Sequence, residues 1–340
     1  MAALCPRGLV HSQFRPFTRE WLYFDPHLNG MTYQLASLYK SDPNPTIAFL
    51  GIASSNEFTA LGVDRVFDLG LVKAGNGGTQ AVARYRYTKS GERVDNITDW
   101  ALARFRERYE EEAGLRVKPG VTKEEGAGER NEGTNHRPTP VTPDLIRGPA
   151  SPPTITKDAI FHYVYAVLHD PVYRETYALN LRREFPRVPL YPDFQAWAAW
   201  GETLMRLHIG YEQVEPWPLD RADAPEPKRA AGTHPKPTLR SDPELGVVRV
   251  DADTQLSGIP AAAWSYRLGN RSAIDWVLDQ HKEKTPRDPT IRERFNTYRF
   301  HDHKEAMIDL LARVVRVSME TVAITDAMRG ADRGTGKATA

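Results

Sequence analysis

Cysteine is almost missing from this sequence of 340 residues, in which Cys5 is the single one. One cysteine excludes an internal disulfide framework and a cysteine-rich zinc site, and it fits a reducing compartment. No apolar run approaches the about 20 residues that a membrane-spanning helix needs. The first residues also lack the apolar core of a signal peptide. We therefore expect a cytoplasmic protein that does not bind membranes. Because the formal net charge is only +1, binding to nucleic acid would depend on a local basic patch.

Motifs that carry chemistry are also missing. No Walker-type phosphate loop is present, and no helix follows Gly70–Gly78 to present its N-terminus to a phosphate. The adenine methyltransferase tetrapeptide (Asp or Asn, Pro, Pro, aromatic) is absent as well. His301 and His303 could ligate a metal, but no third ligand is evident, and the start of a helix is the simpler interpretation. We expect neither a catalytic residue nor a metal site in this chain.

The clearest periodicity lies between Thr154 and Glu212, where apolar residues recur at helical spacing. Thr156 is a good N-cap for a first helix, and Asp170, which precedes Pro171, is one for a second. Asp193 opens a third helix. The stretch therefore predicts three helices that form the centre of the fold.

The rest of the chain predicts an α+β fold. We expect a mixed N-terminal sheet, a central helical bundle, a small antiparallel β element and a long C-terminal helix that opens with a capping box of Asp302 and Glu305. The predicted parts are an α+β part at 1–112, a disordered insertion at 113–155, a helical and small-β part at 156–328 with a proline-rich loop at 216–244, and a flexible tail at 329–340.

Three basic groups stand out against the balanced total charge. One group lies in the predicted central helices, and a second lies on a predicted strand, where its two arginines share a face. The largest group begins at the end of the small β element, and Phe295 and Tyr298 are interleaved with its basic residues. Lysine and arginine near phosphates set affinity and register, whereas side chains that reach base edges set specificity. A solvated, salt-bridged surface is the competing interpretation. The candidate DNA-binding residues are Arg84, Arg86, Arg182, Arg183, Arg187, Arg267, Arg271, Lys282, Lys284, Arg287, Arg292 and Arg294.

Four segments resemble the C-terminal specificity region of type ISP restriction-modification enzymes. They are FRPFTREWLYFDPHL at 14–28 and the stretches at 84–102, 158–219 and 266–322. In that family one polypeptide joins a nuclease, an ATP-driven translocase, an N6-adenine methyltransferase and a target-recognition region. Because the base-reading residues of the family vary with the target, the resemblance assigns none of them here.

The resemblance implies a module that recognises a DNA sequence and positions the duplex for adenine methylation and translocation. Its partners would be double-stranded DNA and the methyltransferase and helicase portion of the same system. S-adenosylmethionine, ATP and Mg would be bound only by domains that this chain lacks, so we expect no catalysis by the chain alone. A second possibility is a truncated remnant that docks on separately encoded methyltransferase or helicase subunits, since the predicted insertion interrupts the family pattern.

Overall fold

The computed structural model describes residues 8–25, 27–30, 32–39, 43–50, 52, 54–72, 78–112, 154–225 and 233–334. The fold is α+β, as predicted. The helices are α1 (Leu35–Leu38), α2 (Asp99–Glu112), α3 (Lys157–Val167), α4 (Pro171–Thr176), α5 (Ala178–Leu181), α6 (Phe194–Ile209), α7 (Ala273–Gln280) and α8 (Phe300–Arg329). The strands are β1 (Leu9–Arg15), β2 (Thr18–Tyr23), β3 (Thr46–Leu50), β4 (Ala60–Val63), β5 (Thr79–Ala83), β6 (Tyr85–Tyr87), β7 (Arg93–Asp95), β8 (Asp220–Asp223), β9 (Pro237–Asp242), β10 (Val247–Asp251), β11 (Thr254–Ser257), β12 (Arg267–Leu268) and β13 (Arg271–Ser272).

Strand β3 lies between two hydrophobic cores, and all five of its residues are buried. Successive side chains of a strand point to opposite faces. Ala48 and Leu50 accordingly enter a first core, which is built mainly from β10, β11, α7 and α8. Ile47 and Phe49 enter a second core, which is built mainly from α3 and α6. Strands β4 and β5 pair antiparallel with β3 on its two sides.

The central helices begin where their capping residues predict. The N-cap side chains of Thr156, Asp170 and Asp193 accept hydrogen bonds from the backbone N–H groups of the first turns of α3, α4 and α6. Each such bond satisfies one of the N–H groups that a helix start leaves without an intrahelical partner. The predicted second helix is divided, however, because α4 and α5 meet at Tyr177.

A four-stranded antiparallel sheet in the order β8-β11-β10-β9 covers the first core. Two of its strands, β8 and β9, lie within residues 216–244, so the prediction of a loop over that whole range is wrong. These two strands form the edges of the sheet. Their sequences are polar and short of alternating apolar residues, so no strand pattern marks them.

Helix α8 begins before the predicted capping box. Its first residue is Phe300, whose backbone N–H donates to Oε1 of Glu283 at 2.8 Å. The cap thus comes from a residue 17 positions earlier, and the roles predicted for Asp302 and Glu305 are wrong.

The predicted flexible tail begins inside folded structure. Helix α8 extends to Arg329, and the guanidinium of Arg333 binds the carboxylate of Asp170 at 2.7 Å. Residues 335–340 lie outside the described residues, as do 113–153 of the predicted insertion. Ile155, at the end of that insertion, is buried in the second core.

Candidate nucleic-acid interface

Five of the seven residues in the largest predicted basic group lie on one loop, residues 281–299, which we call the basic loop. It connects α7 to α8, and its two ends are fastened to each other. The Tyr298 hydroxyl donates to the carbonyl of His281 at 3.0 Å, and the Asn296 side chain donates to the carbonyl of Lys284 at 2.9 Å. A single π-helical turn, Ile291–Phe295, forms its far part. The loop is therefore held at its base and projects its middle.

Four cations of the basic loop are exposed, one at its fastened base and three in the projecting part. They are Lys284, Arg287, Arg292 and Arg294. None of them forms an ion pair with any residue that the structure describes. Charges that lie in water without a partner cost little to keep and are free to meet an anion from outside.

The cations nearer the base of the loop are held by acids. Arg271 lies 2.5 Å from Asp279 and is half-buried, whereas Lys282 lies 3.5 Å from the same carboxylate. Burial acts to raise the pKa of Asp279, but the hydrogen bond from Arg271 and the charges of Arg271, Lys282 and Lys284 outweigh it and lower the pKa. Arg267 is exposed and donates to the carbonyl of Asn270 at 2.5 Å. These cations can position a phosphate only in competition with their own partners.

Strand β9 adds a cation that the sequence analysis missed. Arg240 is exposed and lines a cavity of about 390 Å³ together with Arg271 and Lys282. Beneath it, Ser241 donates to Asp275 on α7 at 2.6 Å, which fixes β9 against the helix. The basic loop and the four-stranded sheet therefore form one continuous surface.

Arg84, one of the predicted DNA-binding residues, is not exposed. Arg84 is 5 % exposed, and its guanidinium lies 2.5 Å from both Asp95 and Asp158. Its role is to connect β7 to the start of α3. Arg86 is exposed, and the two arginines do not share a face, since the chain bends at Arg84 between β5 and β6.

The central group lies apart from the basic loop, at α5 and the turn that follows it. Arg182, Arg183 and Arg187 are all exposed, and Arg187 lies 2.8 Å from Glu184. The neighbouring Leu181 is buried in the second core, whereas the basic loop sits on the first. The structure thus divides the twelve predicted residues into a buried cation, the basic loop with its base, and separate arginines.

Within the described ranges, no cluster of three or more His, Cys, Asp or Glu side chains could hold a metal ion. His301 contacts Asp302 at 2.9 Å and stacks on His234, and His303 stacks on Tyr298. Among the helices that the structure describes, none combines the length and the apolar character of a membrane span.

A family model described as the Type ISP C-terminal specificity domain matches residues 4–310. The chain belongs to this family. The resemblance that we inferred from the sequence is therefore confirmed. A search among curated proteins finds no match.

Three solved structures show how this type ISP specificity domain compares with larger proteins. The domain is 44% identical to a chain of the DrdV–DNA complex, with a TM-score of 0.78. The match covers 95% of this chain and 28% of that one. A nuclease-deletion mutant of the type ISP enzyme LlaGI with a DNA substrate mimic gives 22% identity and a TM-score of 0.64, over 95% of this chain and 25% of that one. The type ISP enzyme LlaBIII bound to DNA gives 20% identity and a TM-score of 0.66, over 96% of this chain and 19% of that one. The last two support the fold alone, and the domain spans 28% or less of all three chains.

Proposed function

We propose that this type ISP specificity domain recognises a DNA sequence and holds the duplex for N6-adenine methylation and translocation. The observation that carries the proposal is the similarity, at 44% identity, to a chain of a DNA complex along 95% of the domain. Methylation and translocation would be performed by parts of the enzyme that this chain does not span.

The exposed cations of the basic loop support the proposal physically. Lys284, Arg287, Arg292 and Arg294 could each neutralise a phosphate and release its condensed counterions. Phosphate contacts of this kind fix the position of a protein on the duplex without reading its sequence. We propose that the basic loop supplies affinity and register, and that other side chains read the bases.

A salt titration of DNA binding tests this role. The logarithm of the association constant of the chain for a duplex should fall linearly with the logarithm of salt concentration. Replacing the four loop cations by alanine should reduce the slope by up to about 3.6, since each phosphate contact contributes about 0.9. A control with Lys89, Arg104, Arg206 and Arg329 replaced by alanine removes the same charge from exposed positions elsewhere. Equal slopes for the two variants would refute the role of the loop, and no binding of the wild-type chain to any duplex at low salt would refute DNA recognition.

We further propose that S-adenosylmethionine, ATP and Mg are bound by the methyltransferase and translocase portion of the system. The motifs for these ligands are absent from the sequence. Isothermal titration of the chain with S-adenosylmethionine should give no binding heat, and saturable binding would contradict this assignment.

A second candidate function is docking on separately encoded methyltransferase or helicase subunits. The exposed apolar side chains of Tyr177, Leu179 and Phe185, beside the uncovered Arg182 and Arg183, favour it. Co-expression of the chain with those subunits, followed by size-exclusion chromatography, would reveal a stable complex. Charged substitutions at Leu179 and Phe185 should then abolish the complex and leave DNA binding by the chain unchanged.

A further inference from the structure

The four-stranded sheet has one buried and one exposed face. Val248, Val250 and Leu256 point into the first core. On the other face, Arg249 of β10 and Gln255 of β11 are exposed and lie directly opposite each other in the strand pairing. Arg240 and Ala222, which lie opposite these two residues on the edge strands, are exposed as well.

Arg249 also lies directly opposite Arg240 of β9. Like charges at directly opposed positions of an antiparallel pair destabilise the sheet. Neither arginine forms an ion pair with any part of the chain that the structure describes. By contrast, Arg221 on the far edge strand is bound by both Asp223 and Glu305. The sheet therefore retains two neighbouring cations that form no ion pair with the described residues.

A β-bulge holds Arg240 in this position. Between the pairs Arg249–Arg240 and Asp251–Pro237, strand β9 has one residue more than β10. Within this bulge Leu239 has a φ of 43°, a backbone conformation that bulky side chains rarely adopt. This conformation keeps Leu239 buried at 3 % exposure and turns Arg240 outward. Bulges commonly redirect a side chain beside a functional site, at a cost in backbone strain.

We propose that the outer face of this sheet contacts DNA bases and backbone, with Gln255 as a specificity-determining residue and Arg240 and Arg249 as its cationic supports. The proposal rests on the proposed DNA recognition and names the surface that performs it. A two-stranded antiparallel ribbon fits the major groove of B-DNA, where glutamine binds the adenine edge and arginine binds guanine or a neighbouring phosphate. The cavity between Arg240 and Lys282 places this face directly beside the basic loop, so one duplex could contact both.

The test starts from a duplex library with a randomised centre, from which the wild-type chain selects its preferred sequence. Gln255→Ala should bind the selected duplex roughly 5- to 100-fold more weakly, and its own selection should lose the base preference at one position. Arg240→Ala and Arg249→Ala should each reduce the salt slope by about 0.9. Arg221→Ala is the matched control on the same sheet and should keep the wild-type slope and preference.

Thermal melting separates a lost contact from a damaged fold. Because Arg240→Ala removes a repulsion and no described ion pair, the variant should melt at or above the wild-type temperature while it binds DNA more weakly. If the sheet variants keep the wild-type affinity, slope and base preference while the loop variant binds weakly, this inference is wrong and DNA recognition stands. If the wild-type chain selects no sequence and binds no duplex at low salt, both are wrong.

Discussion

Replacing Gly201 by alanine should destabilise the chain, although Gly201 lies inside helix α6. A β-carbon built at Gly201 would lie 1.8 Å from the carbonyl oxygen of His162, and 2.5 Å from its carbonyl carbon. Both atoms belong to the backbone of α3, so no rotamer change relieves the clash. Real β-carbons stay at least 3.0 Å from such atoms. Helices α3 and α6 would therefore have to shift apart by about 1.2 Å or more at Gly201, so that the 1.8 Å approach reaches 3.0 Å.

Two opposing effects decide the sign of the change. Alanine is favoured over glycine in a helix interior by about 1 kcal/mol. Overpacking a core typically costs about 1–3 kcal/mol, and we take the upper end, about 3 kcal/mol, because the clash at Gly201 is with backbone atoms. The net loss in free energy of unfolding for Gly201→Ala should thus be about 2 kcal/mol, which corresponds to a fall in Tm of about 3 °C for a chain of this size.

Thermal unfolding followed by circular dichroism would measure this loss, with Gly330→Ala as the control. Gly330 follows the end of α8 at a φ of −84°, and a β-carbon there would meet nothing closer than 3.9 Å. The control should be neutral or stabilising by up to about 1 kcal/mol. A Gly201→Ala chain that melts at or above the wild-type temperature would refute the close helix crossing.

Two further predictions concern buried charge. Arg333→Ala should lower the free energy of unfolding by about 3 kcal/mol, because it leaves the fully buried carboxylate of Asp170 without its cation. Arg329→Ala, which breaks a 3.7 Å pair in water, should cost less than about 1 kcal/mol, and equal losses in urea denaturation would contradict the argument. Burial, with the nearby charge of Arg174, lowers the pKa of His208 to about 3. Since the unfolded histidine binds a proton near pH 6.5 and the folded one does not, stability should fall as pH drops from 6.5 towards 3, by about 1.4 kcal/mol per pH unit. His208→Gln should flatten the decline of Tm over this range, and an unchanged slope would show that His208 does not titrate as argued.

Local signals in the sequence predict the parts of the fold that depend on local chemistry. Thr156, Asp170 and Asp193 cap their own helices within three residues, so each cap is visible in the sequence. The cap of α8 comes from Glu283 across a loop, and no sequence window contains both partners at capping spacing. Strand β8 has no apolar pattern and exists because β11 supplies its hydrogen-bonding partners.

For the candidate interface, too, the sequence predicts the local features and misses those that depend on distant residues. The density of cations in the basic loop exceeds what nearby acids can pair, so exposure follows from the sequence. Arg84 also lies in a basic stretch of the sequence. Its two ion-pair partners, Asp95 and Asp158, lie 11 and 74 residues away, and only the fold brings them to it. Arg240 and Arg249 are isolated in the sequence and become a pair only through the register of β9 and β10.

The difference between buried core residues and exposed interface cations explains why these perturbations should separate in experiment. The basic loop and the Arg240–Arg249 pair rest on the first core, whereas Gly201 and Asp170 belong to helices of the second. A buried series of hydrogen bonds joins the cores. The Tyr165 hydroxyl accepts from the N–H of Gly62 and is hydrogen-bonded to His208, and His208 is hydrogen-bonded to Thr321 on α8. Damage to the second core should therefore lower the stability of the whole chain, including the interface. Loss of an interface cation leaves both cores intact, and this contrast distinguishes a DNA contact from a structural residue.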